Sequence, residues 1–225
     1  MSNKEINEII ERNQKIGWVP EPDALKIFSI FGLKVPAFNW VKSKEDALKA
    51  GNEIKYPVVA KIVSPDVVHK SDVDGVIVGI RNDQEMTEAF DKLSKIKGFD
   101  GIIIEEMVKG MELIIGAKVD FQFGPVVLMG IGGTSVEIYK DTSIKMAPVT
   151  KDDVLSMVDS LKAKKLLTGY RGSDPVNLDD LSDLLIKFSE LAMELGDVME
   201  SIDLNPVMCS SEKCVIADAR IMLKK

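Results

Sequence analysis

The sequence predicts a mixed α/β (α+β) protein of two lobes, with a short helical extension ahead of them. Three observations point there. Over about residues 20–100, helical apolar spacing alternates with short β-branched runs. From residue 101 three strand-like segments follow one another before helical periodicity returns. No internal repeat or low-complexity linker separates the two textures. The expected division is an extension over 1–19, a small lobe over 20–100 and a large lobe over 101–225. Two lobes without a flexible tether predict a ligand cleft between them.

Along the chain, apolar residues first recur at helical spacing from Ala24 to Phe31, and Gly32 stops the run as a glycine cap. Ser43 followed by Asp46 opens a second helix through Ile54 in a capping-box-like start. Pro57 to Val63 is β-branched and reads as a strand, as does Gly75 to Ile80. Asn82 or Asp83 caps a helix to about Ile96, which Gly98 ends. Residues 101–107, 111–121 and 125–131 read as strands punctuated by Gly110 and Gly124-Pro125. Helices are expected from Lys151 to Leu161 and from Leu178 to Leu195. Val198 to Leu204 and Cys214 to Ala217 close the chain as strands around a polar turn at Ser210, Ser211 and Glu212.

Composition narrows the classes of function. Of 225 residues, 45% are apolar and 29% charged, an ordinary balance for a packed core. A net charge of -7 argues against a nucleic-acid partner, which needs a basic stripe. No window approaches the ~18 apolar residues that span a bilayer, so no membrane association is expected. Met1 to Gln14 mixes charges among its isoleucines, as a soluble amphipathic helix does and a signal peptide does not. Cys209 and Cys214 are too few for a disulfide framework and lack the partners of a zinc site. They read as buried or half-buried thiols in a reducing cytoplasm.

The residues that carry chemistry are dispersed at strand ends. Lys61 closes Pro57-Val58-Val59-Ala60; it either meets an anionic partner or keeps its head in water from an edge strand. The loop Ser64 to Gly75 holds the only histidine, His69, beside Ser71. Small hydroxyls and a flanking glycine, Gly75, suit a backbone that wraps an anion, although a loop histidine is equally a solvated side chain. Glu105 and Glu106 end a strand and Glu112 begins the next; they offer bonds to a purine edge and a ribose, or simply flank a hairpin. Asn205 and Asp218 end two strands, and if those strands pair, an amide oxygen and a carboxylate meet as Mg²⁺ ligands. Gly130-Ile131-Gly132-Gly133-Thr134 lacks the Lys-Ser/Thr of a Walker motif and the third glycine of a dinucleotide fingerprint. No hydrolase elbow or zinc-protease motif is present.

Across Tyr56 to Lys61, Ser64-Pro65, His69-Lys70-Ser71-Asp72 and Gly75-Val76, the chain resembles the ATP-grasp domain of ADP-forming (NDP-forming) acyl-CoA synthetases of the acetate–CoA ligase type. It resembles the β subunit of succinyl-CoA synthetase more distantly. The likeness runs from about Glu21 to Arg220. It implies an ATP-grasp fold whose two lobes enclose a nucleotide cleft for ATP or ADP with Mg²⁺. By the same resemblance, Lys61 contacts phosphates, with Ser71 and Gly75 in the neighbouring loop. Glu105, Glu106, Met107 and Val108 hold adenine, and Glu112 binds ribose. Gly132 and Gly133 line the phosphate path, Arg220 steadies the phosphates, and Asn205 and Asp218 hold the metal. His69 falls where this family carries a histidine that relays the phosphoryl group.

Two departures are informative. The position eleven residues before Gly32, where many ATP-grasp ligases place a second phosphate-binding lysine, is Glu21. Glutamate there favours the CoA-ligase branch. The family's CoA-binding and phosphohistidine domains also find no room beside the nucleotide lobes. The resemblance therefore implies a partner α subunit that bears them, in an α2β2 complex in the cytoplasm. A succinate–CoA ligase subunit and a non-catalytic nucleotide-sensing module are the alternatives.

Overall fold

The computed structural model describes residues 4–133 and 141–224. The chain forms two compact units, Met1–Val35 with Lys109–Lys225, and Pro36–Val108. This division differs from the expected boundaries at residues 20 and 100, and strand pairing is the reason. The strand at Ile102–Glu106 joins the sheet of the second unit, whereas the helix at Glu21–Ile30 packs on a C-terminal strand of the first.

The unit Pro36–Val108 is a four-stranded antiparallel sheet with two helices. Its strands are β2 (Phe38–Val41), β3 (Val58–Ile62), β4 (Val76–Ile80) and β5 (Ile102–Glu106), in the order β2-β5-β3-β4. Helices α3 (Lys44–Ile54) and α4 (Asp83–Leu93) supply Ala47, Ala50, Met86, Ala89, Phe90 and Leu93 to a core shared with Val58, Ala60, Ile62, Ile80, Ile102 and Ile104. Period-two alternation places Val59 and Lys61 on the opposite face of β3. Both caps form as expected: Ser43 Oγ accepts from the Asp46 amide at 3.1 Å and Asn82 Oδ1 from the Glu85 amide at 2.9 Å. Each such cap is worth about 1 kcal/mol.

Between α3 and α4, the Tyr56 hydroxyl donates to Asp83 Oδ1 at 2.9 Å, and Asn52 donates to the same oxygen. Burial, then the hydrogen bond and the charge of Asp83, push the Tyr56 hydroxyl up to about 12. A raised folded-state value means this contribution to stability is complete below pH 10, the ordinary tyrosine value, and is lost as pH rises through about 12. Spectrophotometric titration is expected to show one tyrosinate appearing near pH 12 that is missing in Tyr56→Phe. A Tyr56→Phe curve identical to wild type contradicts this assignment.

The other unit is built on a seven-stranded antiparallel sheet in the order β1-β11-β9-β6-β7-β8, with β10 also paired to β9. Its strands are β1 (Trp18–Val19), β6 (Met111–Asp120), β7 (Gly124–Ile131), β8 (Thr142–Met146), β9 (Met199–Cys209), β10 (Cys214–Ile216) and β11 (Ala219–Leu223). Helix α6 (Leu178–Glu194) buries Leu181, Leu184, Leu185, Phe188 and Leu191 and packs on β6, β7, β9 and β10. Helix α5 (Lys151–Ser160) covers β8 behind a Thr150–Asp153 capping box. Helix α2 (Glu21–Ile30) lies on β11, and the Gly32 cap is real: φ is +79° and the Leu33 amide bonds the Phe28 carbonyl at 2.9 Å.

Helix α1 (Lys4–Asn13) is more than an appendage. Ile6, Ile9 and Ile10 are buried, Arg12 pairs with Asp23, and Asn13 donates to Asp23 at 2.8 Å. Among the described residues, no helix is long and apolar enough to cross a membrane.

Candidate functional site

In the smaller unit, β3 lies between β5 and β4, so Lys61 is on an interior strand and the edge-strand alternative is excluded. Its side chain is 7% exposed and its Nζ lies 2.6 Å from Glu105 Oε2, itself on a side chain 3% exposed. Register explains the meeting. Val59 faces Glu105 and Lys61 faces Ile103, so lysine and glutamate are diagonal neighbours on one face of adjacent strands. The anionic partner that a buried lysine requires is therefore Glu105. This adds to the expected roles of both residues, since Glu105 holds the lysine head in place.

Glu106 completes β5 by bonding its amide to Ala37 O at 2.8 Å. Met107 and Val108 follow as half-buried irregular backbone at the end of this unit. A non-helical, non-strand backbone leaves its N–H and C=O groups outside any ladder, which is what an adenine edge needs.

The β3–β4 connection holds His69 and Ser71, both exposed. His69 is the cap residue of a short 3₁₀ turn, Lys70–Val73. Gly75 closes the loop: its amide bonds Lys70 O at 2.8 Å and its carbonyl accepts from Ile62 at 2.8 Å. A Cβ at Gly75 would stand 2.5 Å from Ile62 Cγ2 and 2.9 Å from Lys70 O. The glycine is thus required by close approach as much as by any ligand.

In the larger unit, β6 and β7 bring Glu112 to the glycine pair. Leu113 faces Ile131, and the Gly132 amide bonds Glu112 O at 2.6 Å. A Cβ on Gly132 would meet that carbonyl oxygen at 2.8 Å, and one on Gly133 would lie 3.7 Å from Glu112 Oε2. The exposed Glu112 carboxylate therefore borders the glycine run. Thr134, the end of that run, lies outside the described residues.

Asn205 and Asp218 also meet, but not at a sheet end. The expected pairing of 198–204 with 214–217 is replaced by β10 on 207–209 and β11 on 199–204. Between these two ladders the backbone N–H of Asn205 donates to the backbone carbonyl of Asp218 at 3.1 Å. Opposite β6, β9 carries an extra residue: Leu113 faces Val207, whereas Ile115 faces Leu204. That β-bulge falls on Asn205-Pro206 in the middle of a central strand, where proline is tolerated only at such an irregularity. Arg220 faces Asp203 across β11 and β9, with Nη2 at 3.5 Å from Oδ2. Asp203 is a neighbour of the expected phosphate-steadying arginine that the sequence reading did not pair with it. Arg171, on an exposed loop, has φ +51° and stacks over Tyr170 at 5.3 Å.

The donor set suits Mg²⁺ shared with a polyphosphate. Among the described residues no group of three or more His, Cys, Asp or Glu side chains could enclose a metal. The backbones of Asn205 and Asp218 are joined by a hydrogen bond, so a side-chain amide and a carboxylate originate side by side and could supply two oxygen donors. Mg²⁺ is commonly held this way, by one or two carboxylates with water and phosphate oxygens completing its octahedron.

A profile of the ATP-grasp domain matches residues 11–223. The chain belongs to the ATP-grasp family. Within it, the chain groups with ADP-forming acyl-CoA synthetases. It is 43% identical over 211 residues to the acetate–CoA ligase [ADP-forming] I subunit beta of Pyrococcus furiosus, covering 90% of each chain. The chain spans only 30% and 34% of two longer relatives, the 4-hydroxybutyrate–CoA ligase of Nitrosopumilus maritimus and the acetate–CoA ligase I of Archaeoglobus fulgidus.

Among solved structures, this ATP-grasp chain matches the acetyl-coenzyme A synthetase 1 of Ca. Korarchaeum cryptofilum with a TM-score of 0.92 and 37% identity. The match covers 97% of this chain and 99% of that one. Another structure of that synthetase contains Mg-AMPPCP, with a phosphohistidine segment pointing towards the nucleotide-binding site. It aligns at TM-score 0.84 and 37% identity over 97% of this chain and 100% of that one.

Proposed function

We propose that this chain is the nucleotide-binding subunit of an ADP-forming acyl-CoA synthetase of the acetate–CoA ligase type. It takes a phosphoryl group from a phosphohistidine on a partner α subunit and passes it to Mg·ADP, reversibly. The observation that carries this reading is the meeting of Asn205 and Asp218 at the β9 bulge. Two oxygen donors without a closed cage are a site for a metal that arrives with its phosphates. The Korarchaeum synthetase in complex with Mg-AMPPCP supports the same ligand class.

Each side chain then has a chemical task. Lys61, held by Glu105, presents its ammonium to phosphate oxygens, which gain negative charge as the group transfers. Ser71 and the backbone beside Gly75 wrap an anion. Gly132 and Gly133 allow phosphates close to the backbone, and Arg220 is a further cation, steadied by Asp203. Glu112 accepts from ribose hydroxyls, while Glu106, Met107 and Val108 bond the adenine edge. Mg²⁺, when bound by Asn205 and Asp218, supplies charge neutralisation of the phosphates. His69 is the relay, because an imidazole nitrogen is a nucleophile that can carry a phosphoryl group. Positioning and electrostatics account for most of the rate in such transfers.

In this reading the partner carries the CoA-binding and phosphohistidine domains, the complex is α2β2, and it works in the cytoplasm. A succinate–CoA ligase subunit has the same nucleotide chemistry; assay of the reconstituted complex against a panel of carboxylic acids separates the two.

The test of the metal donors is Asp218→Ala. Calorimetry is expected to show Mg·ADP affinity falling at least about tenfold, with metal-free ADP affinity little changed, as expected when a direct oxygen ligand is lost. Equal affinity of variant and wild type for Mg·ADP removes Asp218 from the site.

A further inference from the structure

The two cysteines do not enter the nucleotide reading, yet their placement is specific. Cys214 on β10 faces Cys209 on β9, one pair before the hairpin turn. Antiparallel pairs alternate between hydrogen-bonded and non-hydrogen-bonded, and two bonds assign this one. The Ser210 amide bonds Lys213 O at 2.9 Å, so the adjacent 210–213 pair takes the ladder bond. The Cys214 amide instead donates to Asp180 Oδ2 at 2.6 Å, so it is not bonded to Cys209. Cys209 and Cys214 therefore form a non-hydrogen-bonded pair. Such pairs set their Cα atoms about 4.5 Å apart, inside the roughly 4.4–6.8 Å that a disulfide spans.

Both residues are buried, Cys209 at 1% and Cys214 at 0% exposed, and Cys214 is the one that borders a surface pocket of about 70 Å³, together with Lys34, Asp180, Asp183 and Lys187. All of these residues belong to the same unit.

We propose that Cys209 and Cys214 are a reversible dithiol–disulfide couple, closed by a small-molecule disulfide that enters through the pocket over Cys214. Cys214 gives up its proton and its sulfur attacks the small disulfide, R–S–S–R. A mixed disulfide forms and one thiolate leaves, taking up a proton as R–SH. The Cys209 sulfur, losing its proton in turn, displaces the second R–SH and closes the intramolecular S–S bond. Two protein thiols are oxidised while one external disulfide is reduced to two thiols. Because the residues are already in register, closure needs no change of strand pairing.

The test treats the native chain with 2-hydroxyethyl disulfide, followed by acid quench, denaturation and alkylation with iodoacetamide. The expected product has lost two hydrogens, takes up no alkyl group, and recovers both thiols with dithiothreitol. Tryptic cleavage after Lys213 separates the two cysteines in sequence, so their peptides stay joined until reduction. In Cys209→Ala the reaction is expected to stop at a hydroxyethylthio adduct on Cys214. Two alkylated cysteines after native treatment, or a mixed adduct that persists in the wild type, overturns the proposal.

Discussion

His69→Ala is expected to abolish ATP formation by the assembled synthetase, by at least about 10³-fold, while Mg·ADP affinity stays within a few-fold. Losses of that size follow removal of a group that forms a covalent intermediate. The structure allows the chemistry to be separated from the fold. His69 is exposed and its side chain makes no capping bond to the adjoining 3₁₀ turn. The loop is closed instead by backbone bonds from Gly75 to Lys70 and from Ile62 to Gly75. The measurement is a coupled ATP assay from acyl-CoA, phosphate and ADP with the partner subunit present, paired with calorimetry of nucleotide binding. Wild-type turnover in the variant takes His69 out of the relay. Labelled His69 after incubation with ³²P-ATP distinguishes a working acceptor from a nucleotide-sensing module.

The second large effect concerns the Lys61–Glu105 pair. Lys61→Met takes from a buried carboxylate the ammonium 2.6 Å away, and Glu105→Leu takes that carboxylate from a buried ammonium. Each single change is expected to cost about 3–5 kcal/mol in chemical denaturation. The double change Lys61→Met with Glu105→Leu removes both charges. It is expected to restore most of that loss, because apolar residues of similar volume replace a buried ion pair at little net cost. Nucleotide affinity is expected to show a different pattern. It is expected to fall whenever Lys61 is absent, including in the stable double variant, since the role proposed for the ammonium is to donate hydrogen bonds to phosphate oxygens. Additive losses of stability across the cycle show that the pair is not coupled. Normal Mg·ADP affinity in the double variant shows that Lys61 serves only the fold.

The sequence reading succeeded where a local rule has a single outcome. Gly32 ends α2 because its left-handed backbone suits glycine, and Ser43 and Asn82 cap helices with their own side chains. The strands it missed are of another kind. Phe38–Val41 and Ala219–Leu223 are short, and become strands by pairing with β5 and β9. Thr142–Met146 leaves Ile144 and Met146 exposed on an edge, so its apolar residues do not mark a core. The expected lobe boundary moved for the same reason. Strand β5 lies only a few residues ahead of β6 in the chain, but its hydrogen bonds run to β2 and β3.

The candidate site divides along the same line. Residue types pointed to Asn205 and Asp218 as oxygen donors of the kind Mg²⁺ takes, whereas for Lys61 and His69 they left a bland reading open, and the phosphate and relay roles came from the family resemblance. The glycines and Glu112 were nominated separately, and only the β6–β7 register sets them side by side. Pro206 inside a strand-like run was the available signal for the bulge that presents Asn205.

The amino-acid order by itself determined which segments are helical and which side chains cap them, since those properties belong to neighbours within a few residues, although the helix expected to run to about Ile96 ends at Leu93. Only the tertiary structure decided that Glu105 answers Lys61, that Asp218 reaches Asn205 and that Cys209 faces Cys214. Those meetings depend on strand register, and a slip of one residue turns every side chain of a strand to the other face.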